Sequence, residues 1–251
     1  MTGISHGRYH VRFSTGQSDI VAAQRLRWRA FRARGQDDGV SLDADDFDAI
    51  CTHVLVERQD GLLAACFRLL PLASGREIAR SYSAQYYNLS RLAGYDAPAM
   101  EMGRFCIDPD LGRDGPADPD IIRAAWAALA SHVEAAGTGL LFGCSSFRGT
   151  DAEAHAEAFA LLRDRHLAPR RWLPRVKAPS VFRFARHLRL RAPDPRLAAR
   201  AMPPLLRSYL LMGGWVSDHA VIDRDLDTLH VFTGLEIGRV PAARRRLLLA
   251  A

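Results

Sequence analysis

AMEMGRFCI, residues 99–107, has the length and apolar content of a buried strand but carries Glu101 and Arg104 within it. LLAACFRLLP, residues 62–71, repeats the anomaly with Arg68. A charge taken out of water without a partner is costly, so these three side chains are expected to face one another or a polar cleft. Side chains alternate along a regular strand, which would send Glu101 and Arg104 to opposite faces. Gly103 is therefore the predicted site of a bulge that brings them together. A buried ion pair without chemistry and a catalytic pair fit this spacing equally well.

Upstream, RYHVRF (8–13) alternates like a half-buried strand, and Ser18 or Asp19 can cap a helix through Ile20, Gln24, Arg27 and Phe31. The acidic stretch GQDDGVSLDADDFDAI (35–50) reads as a flexible connection. His53–Glu57 and Leu62–Leu70 read as strands joined at Gln59-Asp60-Gly61, a hairpin signal. Residues 71–98 are loop-like, with an aromatic cluster at Tyr82, Tyr86 and Tyr87.

Downstream, Asp118 is placed as an N-cap with Pro119 at the first helical position. Ile121, Ile122, Ala125, Trp126, Leu129 and Val133 then make one apolar stripe that Gly137 ends. Leu140–Gly143 predicts a short strand, and Thr150 with Glu153 predicts a capping box for a helix through Leu162. Residues 167–196 are rich in proline and arginine. A last helix spans Pro204–Met212 and stops at Gly213-Gly214, and HAVIDRDLDTLHVFTGL (219–235) offers two more strands. This order predicts an α/β (α+β) fold, a mixed sheet with helices on its faces.

A chain of 251 residues, 48% hydrophobic and 25% charged, fits one globular domain. No run approaches the roughly 18 apolar residues of a spanning helix, and MTGISHGRYH at the start lacks the apolar segment of a secretory signal, so a cytoplasmic protein is expected. Cys51, Cys66, Cys106 and Cys144 lie far apart without a CxxC pair, and no HExxH occurs, so no metal site is expected. The formal charge is +6, nearly all of it arginine, since Lys177 is the only lysine. Such a surplus suits nucleic acid, an anionic membrane or an acidic protein, and equally a plain solvated surface. No RNP-type aromatic motif or recognition helix supports nucleic acid, and none is expected as a partner. GCSSF (143–147) lacks the second glycine of a nucleophile elbow, which argues against a serine hydrolase.

Leu26-Arg27 with Phe31, the run Asp43, Asp45, Phe47 and Asp48, His53, Arg68-Leu69, and Glu101 with Arg104 together resemble the bacterial N-acyl amino acid synthases. These are the ornithine acyltransferases of lipid biosynthesis, related to the acyl-homoserine-lactone synthases. The resemblance continues through LFGCSSFRGTD (141–151) and PPLLRSYLLMGGWVSDHAVIDRDLDTLHVF (203–232), the latter being what the lactone synthases generally lack. It implies the GNAT fold over residues 1–251 as a single domain, with a core to about residue 165 and a family-specific part from about 166.

The resemblance further implies transfer of a fatty acyl group, 3-hydroxylated or not, from acyl carrier protein to the α-amine of ornithine. Other amino acid acceptors and a lactone synthase stand as alternatives, and a basic membrane-surface or nucleic-acid binding module as the alternative outside enzymes. Glu101 is the candidate general base, and Arg104 orients it or binds the substrate carboxylate. Arg27, Phe31, Asp45, Asp48 and Arg68 are candidate substrate-site residues, and for Asp45, Asp48 and Arg68 a structural ion cluster is the other reading. Ser145 is a candidate donor to substrate or pantetheine, and Asp218 and Asp223 either recognise the cationic side chain of ornithine or shape turns. Backbone amides along Phe105, Cys106 and Ile107 are candidates for the thioester oxyanion. The stretch DPDLGRDGPADPD (108–120) lacks the glycine-rich loop that holds coenzyme A, which favours a carrier-protein donor whose phosphate Arg113 can hold. No separate cofactor is expected. The carrier would dock on Arg170, Arg171, Arg175 and Lys177, and the tail ARRRLLLAA (243–251) supports at most peripheral contact with the inner membrane.

Overall fold

The predicted hairpin forms: β3 and β4 are antiparallel, and Gly61 takes the left-handed conformation (φ 87°) that the turn between them requires. In the computed structural model, which describes residues 4–33, 35–112 and 118–244, the chain runs in the order β1 (Ile4–His6), β2 (Tyr9–Phe13), α1 (Gln17–Phe31), β3 (Thr52–Arg58), β4 (Leu63–Leu72), α2 (Ser83–Tyr86), β5 (Tyr87–Asn88) and β6 (Ala99–Ile107). It continues through α3 (Pro119–Ala135), β7 (Leu140–Arg148), α4 (Ala156–Arg165), β8 (Arg175–Val176), β9 (Val181–Phe182), α5 (Phe184–His187), α6 (Pro195–Ala201), α7 (Pro204–Leu211), β10 (Trp215–Asp223) and β11 (Thr228–Glu236). The chain divides into two compact units. The first takes Met1–Pro71, Met102–Gly137 and Ala242–Ala251, and the second takes Leu72–Glu101 and Thr138–Pro241.

In the first unit the strands follow the order β1-β2-β3-β4, with β6 beside β4. Tyr9, Val11 and Phe13 share a face with Val54 and Val56, and α3 packs there, with its His132 ring 4.9 Å from Phe13. The opposite face carries His53, Leu55, Cys66 and Arg68. There α1 lays Ala23 and Leu26 against Cys66 and Cys106 in a small sealed cluster. Helix α3 begins as read: Asp118 accepts the Asp120 amide, Pro119 opens the first turn, and Gly137 (φ 61°) follows the end. Helix α1 does not. Its N-cap is Gly16, because Asp19 is drawn to the Thr15 amide and clamped by the two terminal nitrogens of Arg12 at 2.8 Å.

In the second unit β7, β11, β10 and β9 form successive antiparallel pairs. The amides of Gly139 and Leu140 both bond the Pro98 carbonyl (2.7 and 3.3 Å), so β7 starts alongside the start of β6 and the sheet is mixed. One face, bearing Phe147, Ala220, Leu229 and Val231, packs against α4, α5 and α7 through Phe159, Phe184 and Leu206. The capping box expected at Thr150 is absent: Asp151 accepts the Glu153 amide, a short 3-10 turn follows, and α4 starts at Ala156. Helix α6, which the reading omitted, carries the same signal as α3, with Asp194 capping and Pro195 behind it.

The predicted loop 71–98 is a chain of short turns pinned at close range. Gly75 bonds the Tyr95 carbonyl at 2.7 Å, and a Cβ built on it would lie 1.9 Å from the Leu92 carbonyl oxygen. That carbonyl is backbone and cannot step aside. Gly75→Ala is therefore expected to destabilise by about 3 kcal/mol, the upper end for overpacking, read as a drop in the urea midpoint with an unchanged slope.

Candidate active site

Of the three anomalous charges Arg68 and Glu101 are buried and Arg104 is half-buried, and all three are engaged. In the first unit the segment between α1 and β3 folds Asp43, Asp45 and Asp48 onto four arginines. Arg27, 1% exposed, forks onto Asp48 with two bonds of 2.7 Å and donates to the Asp43 carbonyl. Arg68, 3% exposed, takes Asp45 at 2.5 and 2.8 Å and Asp48 at 2.7 Å. Arg32 bonds Asp43 at 2.8 Å, and the Arg104 guanidinium lies 3.2 Å from Asp43 and 3.4 Å from Asp45. Gln24 adds a bond to Asp48, and His53 donates through Nε2 to the Asp48 carbonyl at 3.1 Å. Asp45 and Asp48 also cap each other's backbone around a 3-10 turn, which locks the segment locally.

Burial alone would raise the carboxyls of Asp45 and Asp48, but hydrogen bonds and charge from Arg68 and Arg27 outweigh it and hold both below the ordinary carboxylate value. Burial pulls His53 down, so its imidazole is neutral at pH 7. The strand runs unbroken from Ala99 to Ile107, and its departure from regular geometry falls at Arg104, one residue past the Gly103 where a bulge was expected: Arg104 is left-handed (φ 54°), a conformation that costs a residue with a side chain about 1–3 kcal/mol. A Cβ on Gly103 would meet nothing closer than 3.8 Å. The ion pairs to Asp43 and Asp45 and the Phe31 ring, 5.9 Å from the guanidinium, hold Arg104 in place.

In the second unit Glu101, 4% exposed, accepts the Tyr82 amide at 2.7 Å, the Ser83 amide at 2.7 Å and the Ser83 hydroxyl at 2.5 Å. The start of α2 thus fixes the plane of the carboxylate with charge-assisted bonds. Ser83 Oγ is also 3.4 Å from Cys144 Sγ. Cys144 lies on the face of β7 that looks away from the apolar cluster, across from Phe232 on β11. Tyr87 covers that face, its ring against Phe232, His219 and His230.

Several expected site residues lie elsewhere. Arg27 is saturated by Asp43 and Asp48 and is a structural member of the cluster. Ser145 sits on the opposite face of β7 from Cys144 and accepts from Thr233 at 2.9 Å, so Ser83 and Cys144, not Ser145, stand beside Glu101. Asp223 accepts the amides of Asp225 and Leu226 and is a turn residue. The Cys106 side chain is sealed with Cys66 in the α1 cluster, burial pushing its thiol well up, which leaves only its backbone for a donor. Phe105 packs its ring 5.9 Å from Phe67, and Ile107 ends the strand. Asp218 is held by His219 at 2.7 Å. Arg113 and residues 245–251 of the tail lie outside the described residues. Among the described residues no group of three or more His, Cys, Asp or Glu is placed to hold a metal ion, and no helix is long and apolar enough to cross a membrane. The sequence reading named Asp43 without giving it a role, and it missed the amides of Tyr82 and Ser83 and the two histidines. The cue for the histidines was two His within strands, which is conspicuous only once metal spacing is set aside.

Residues 26–117 match the acetyltransferase (GNAT) domain family. Among solved structures, FeeM, an N-acyl amino acid synthase from uncultured soil microbes, has a similar fold, with a TM-score of 0.52 at 10% identity over 94% of this chain and 98% of that one. A mixed sheet flanked by helices, with this match, defines an acyltransferase of the GNAT class. The chain is 34% identical over 235 residues to an L-ornithine N(alpha)-acyltransferase of Rhodobacter capsulatus, covering 89% of this chain and 88% of that one. A second protein of that name, from Brucella abortus, is 30% identical over 250 residues, or 93% and 86% of the two chains. The chain belongs to the L-ornithine N(alpha)-acyltransferase family.

The cluster makes stability acid-sensitive with a definite sign. Asp45 and Asp48 have folded pKa values below their ordinary 3.8, so their contribution is complete above that value and is lost as pH falls through the folded values. Stability in urea is expected to hold from pH 7 to about pH 5 and then decline. Arg68→Ala, which leaves two carboxylates short of a partner, is expected to destabilise by about 3–5 kcal/mol at pH 7, and Asp48→Asn to flatten the acid limb.

Proposed function

We propose that this acyltransferase moves a fatty acyl group, 3-hydroxylated or not, from acyl carrier protein to the α-amine of ornithine, giving an N-acyl-ornithine for lipid synthesis. The match to L-ornithine N(alpha)-acyltransferases over about nine-tenths of the chain carries this reading. The reaction forms one C–N bond and breaks one C–S bond. The α-ammonium loses a proton, the amine attacks the thioester carbonyl, and the pantetheine sulfur leaves as a thiol, with one net proton released.

Glu101 is the group we assign to the proton. It is a carboxylate in a place from which water is largely excluded, with its plane fixed by Tyr82 and Ser83, and general base catalysis of this kind contributes about a hundred- to ten-thousand-fold. Arg104, with 11% of its side chain exposed, is assigned to the substrate carboxylate, with Asp43, Asp45 and Phe31 as its support. Backbone amides near Phe105–Ile107 are assigned to the oxyanion, next to the departure from regular strand geometry at Arg104. The carrier is acidic in this reading and docks on Arg170, Arg171, Arg175 and Lys177, all exposed; Arg171 lies over the Trp172 ring at 4.9 Å. The protein works in the cytoplasm, with peripheral contact at the inner membrane.

Purified protein given 3-hydroxyacyl carrier protein and a mixture of amino acids is expected to yield acyl-ornithine by mass spectrometry, and little or none with the coenzyme A thioester. No amide product from either donor, or a lactone with methylthioadenosine once S-adenosylmethionine is added, would overturn the reading. Glu101→Gln is expected to lower kcat at least about a hundredfold; a value within about tenfold of wild type removes Glu101 as the base.

A further inference from the structure

Strands β10 and β11 are out of step. Val216 pairs with Thr233 and Ala220 with Val231, so Ser217, Asp218 and His219 stand opposite Phe232 alone. The bulge is pinned from inside, Ser217 Oγ accepting the Phe232 amide at 3.1 Å and donating to the His219 carbonyl at 2.7 Å. Bulges of this kind re-aim side chains. Here the bulge sets His219, fully buried, on the same face as His230, 3% exposed, and both rings pack on Tyr87 at 5.2 and 5.7 Å. This is the face that carries Cys144, whose neighbour Ser83 holds Glu101.

The hydrogen bonds fix what the two rings present. In the tautomer with the ring proton on Nδ1, His219 donates to the half-exposed Asp218 carboxylate at 2.7 Å and its Nε2 is a lone-pair acceptor. The Tyr87 hydroxyl donates to the His230 carbonyl at 2.7 Å, so its oxygen accepts from His230 Nδ1 at 3.3 Å, and His230 Nε2 is likewise an acceptor. Burial and the neighbouring His219 pull the His230 pKa down to about 4, so its ring is neutral. Neither Nε2 has a hydrogen-bond partner among the described residues. Two buried acceptors without donors call for a ligand rich in N–H groups, and the Tyr86 ring, edge-on 5.0 Å from His230, adds an aromatic wall that suits a cation.

We propose that Nε2 of His219 and Nε2 of His230 receive the side-chain ammonium of a diamino acid acceptor, with Asp218 behind His219 supplying the countercharge. This rests on the N-acylation reading and adds to it the group that selects ornithine over amino acids without a side-chain amine. An ammonium offers three donors to two acceptors, and the carboxylate strengthens the nearer one through the imidazole. Asp218 therefore recognises the side chain through His219 and is a positioning residue.

Selectivity between ornithine and norvaline, which lacks only the side-chain amine, tests the assignment. Wild type is expected to prefer ornithine by at least about a hundredfold in kcat/KM, and His219→Leu and His230→Phe to cut that ratio at least about tenfold with the KM for the acyl carrier donor unchanged. Asp218→Asn, on a half-exposed side chain, is expected to raise the KM for ornithine with little change in kcat. Because the histidine variants change the interior, the wild-type protein is also read directly. The 15N resonances of both Nε2 atoms should move on adding ornithine and stay on adding norvaline. A wild type that acylates ornithine while its Nε2 resonances stay fixed and the variants keep full selectivity would overturn this assignment alone. A wild type that does not acylate ornithine overturns the functional reading beneath it, and a neutral amino acid as preferred acceptor overturns both.

Discussion

Asp48 is the point on which the first unit turns. Its two oxygens take Arg27 from α1, Arg68 from β4 and Gln24 from α1, and its backbone carbonyl takes His53 from β3. A carboxylate this buried stands only because every neighbour donates to it. Partial satisfaction of such a network is worse than an apolar core. The dense bonding also explains why DADDFD, acidic enough to read as a flexible loop, is tied down at Asp43, Asp45 and Asp48. Arg104 hangs from the same network, since its strained backbone persists where Asp43 and Asp45 hold its guanidinium.

Glu101 is held by a different device. Its partners are Tyr82 and Ser83 at the start of α2, which follows a stretch of little regular structure tied down at Gly75 and Tyr95. One anomalous strand in the sequence thus contributes a carboxylate fixed by local backbone amides and, three residues on, a guanidinium fixed by remote aspartates. These are separate supports, so a substitution in the aspartate cluster and one in the 75–83 segment disturb different groups.

What was readable in the sequence was whatever leaves a local trace. A charge inside an apolar run marked Arg68, Glu101 and Arg104; Asp-Gly marked the hairpin at Gly61; Asp118-Pro119 and Gly137 bracketed α3. Asp194-Pro195 carried the same mark and was legible in principle. Partners were not readable, because they depend on which strands become neighbours. Asp19 could not be seen to serve Arg12 and Thr15 in place of the helix end. The bulge at Ser217–His219 is a mismatch between two strands, so neither strand alone records it. Resemblance to a family located most of the cluster, while the structure ties Arg27 into its ion pairs and turns Ser145 to the face of β7 away from Cys144.

In the proposed reading His219 and His230 hold the side-chain amine of the acceptor, which leaves the α-amine for the thioester. The position of the acyl group on the product therefore tests the account most directly. Tandem mass spectrometry of the product formed from α-15N-ornithine is predicted to place the acyl group on the labelled nitrogen, with the side-chain amine free. Acylation of the side-chain nitrogen, or a mixture of the two, would contradict it.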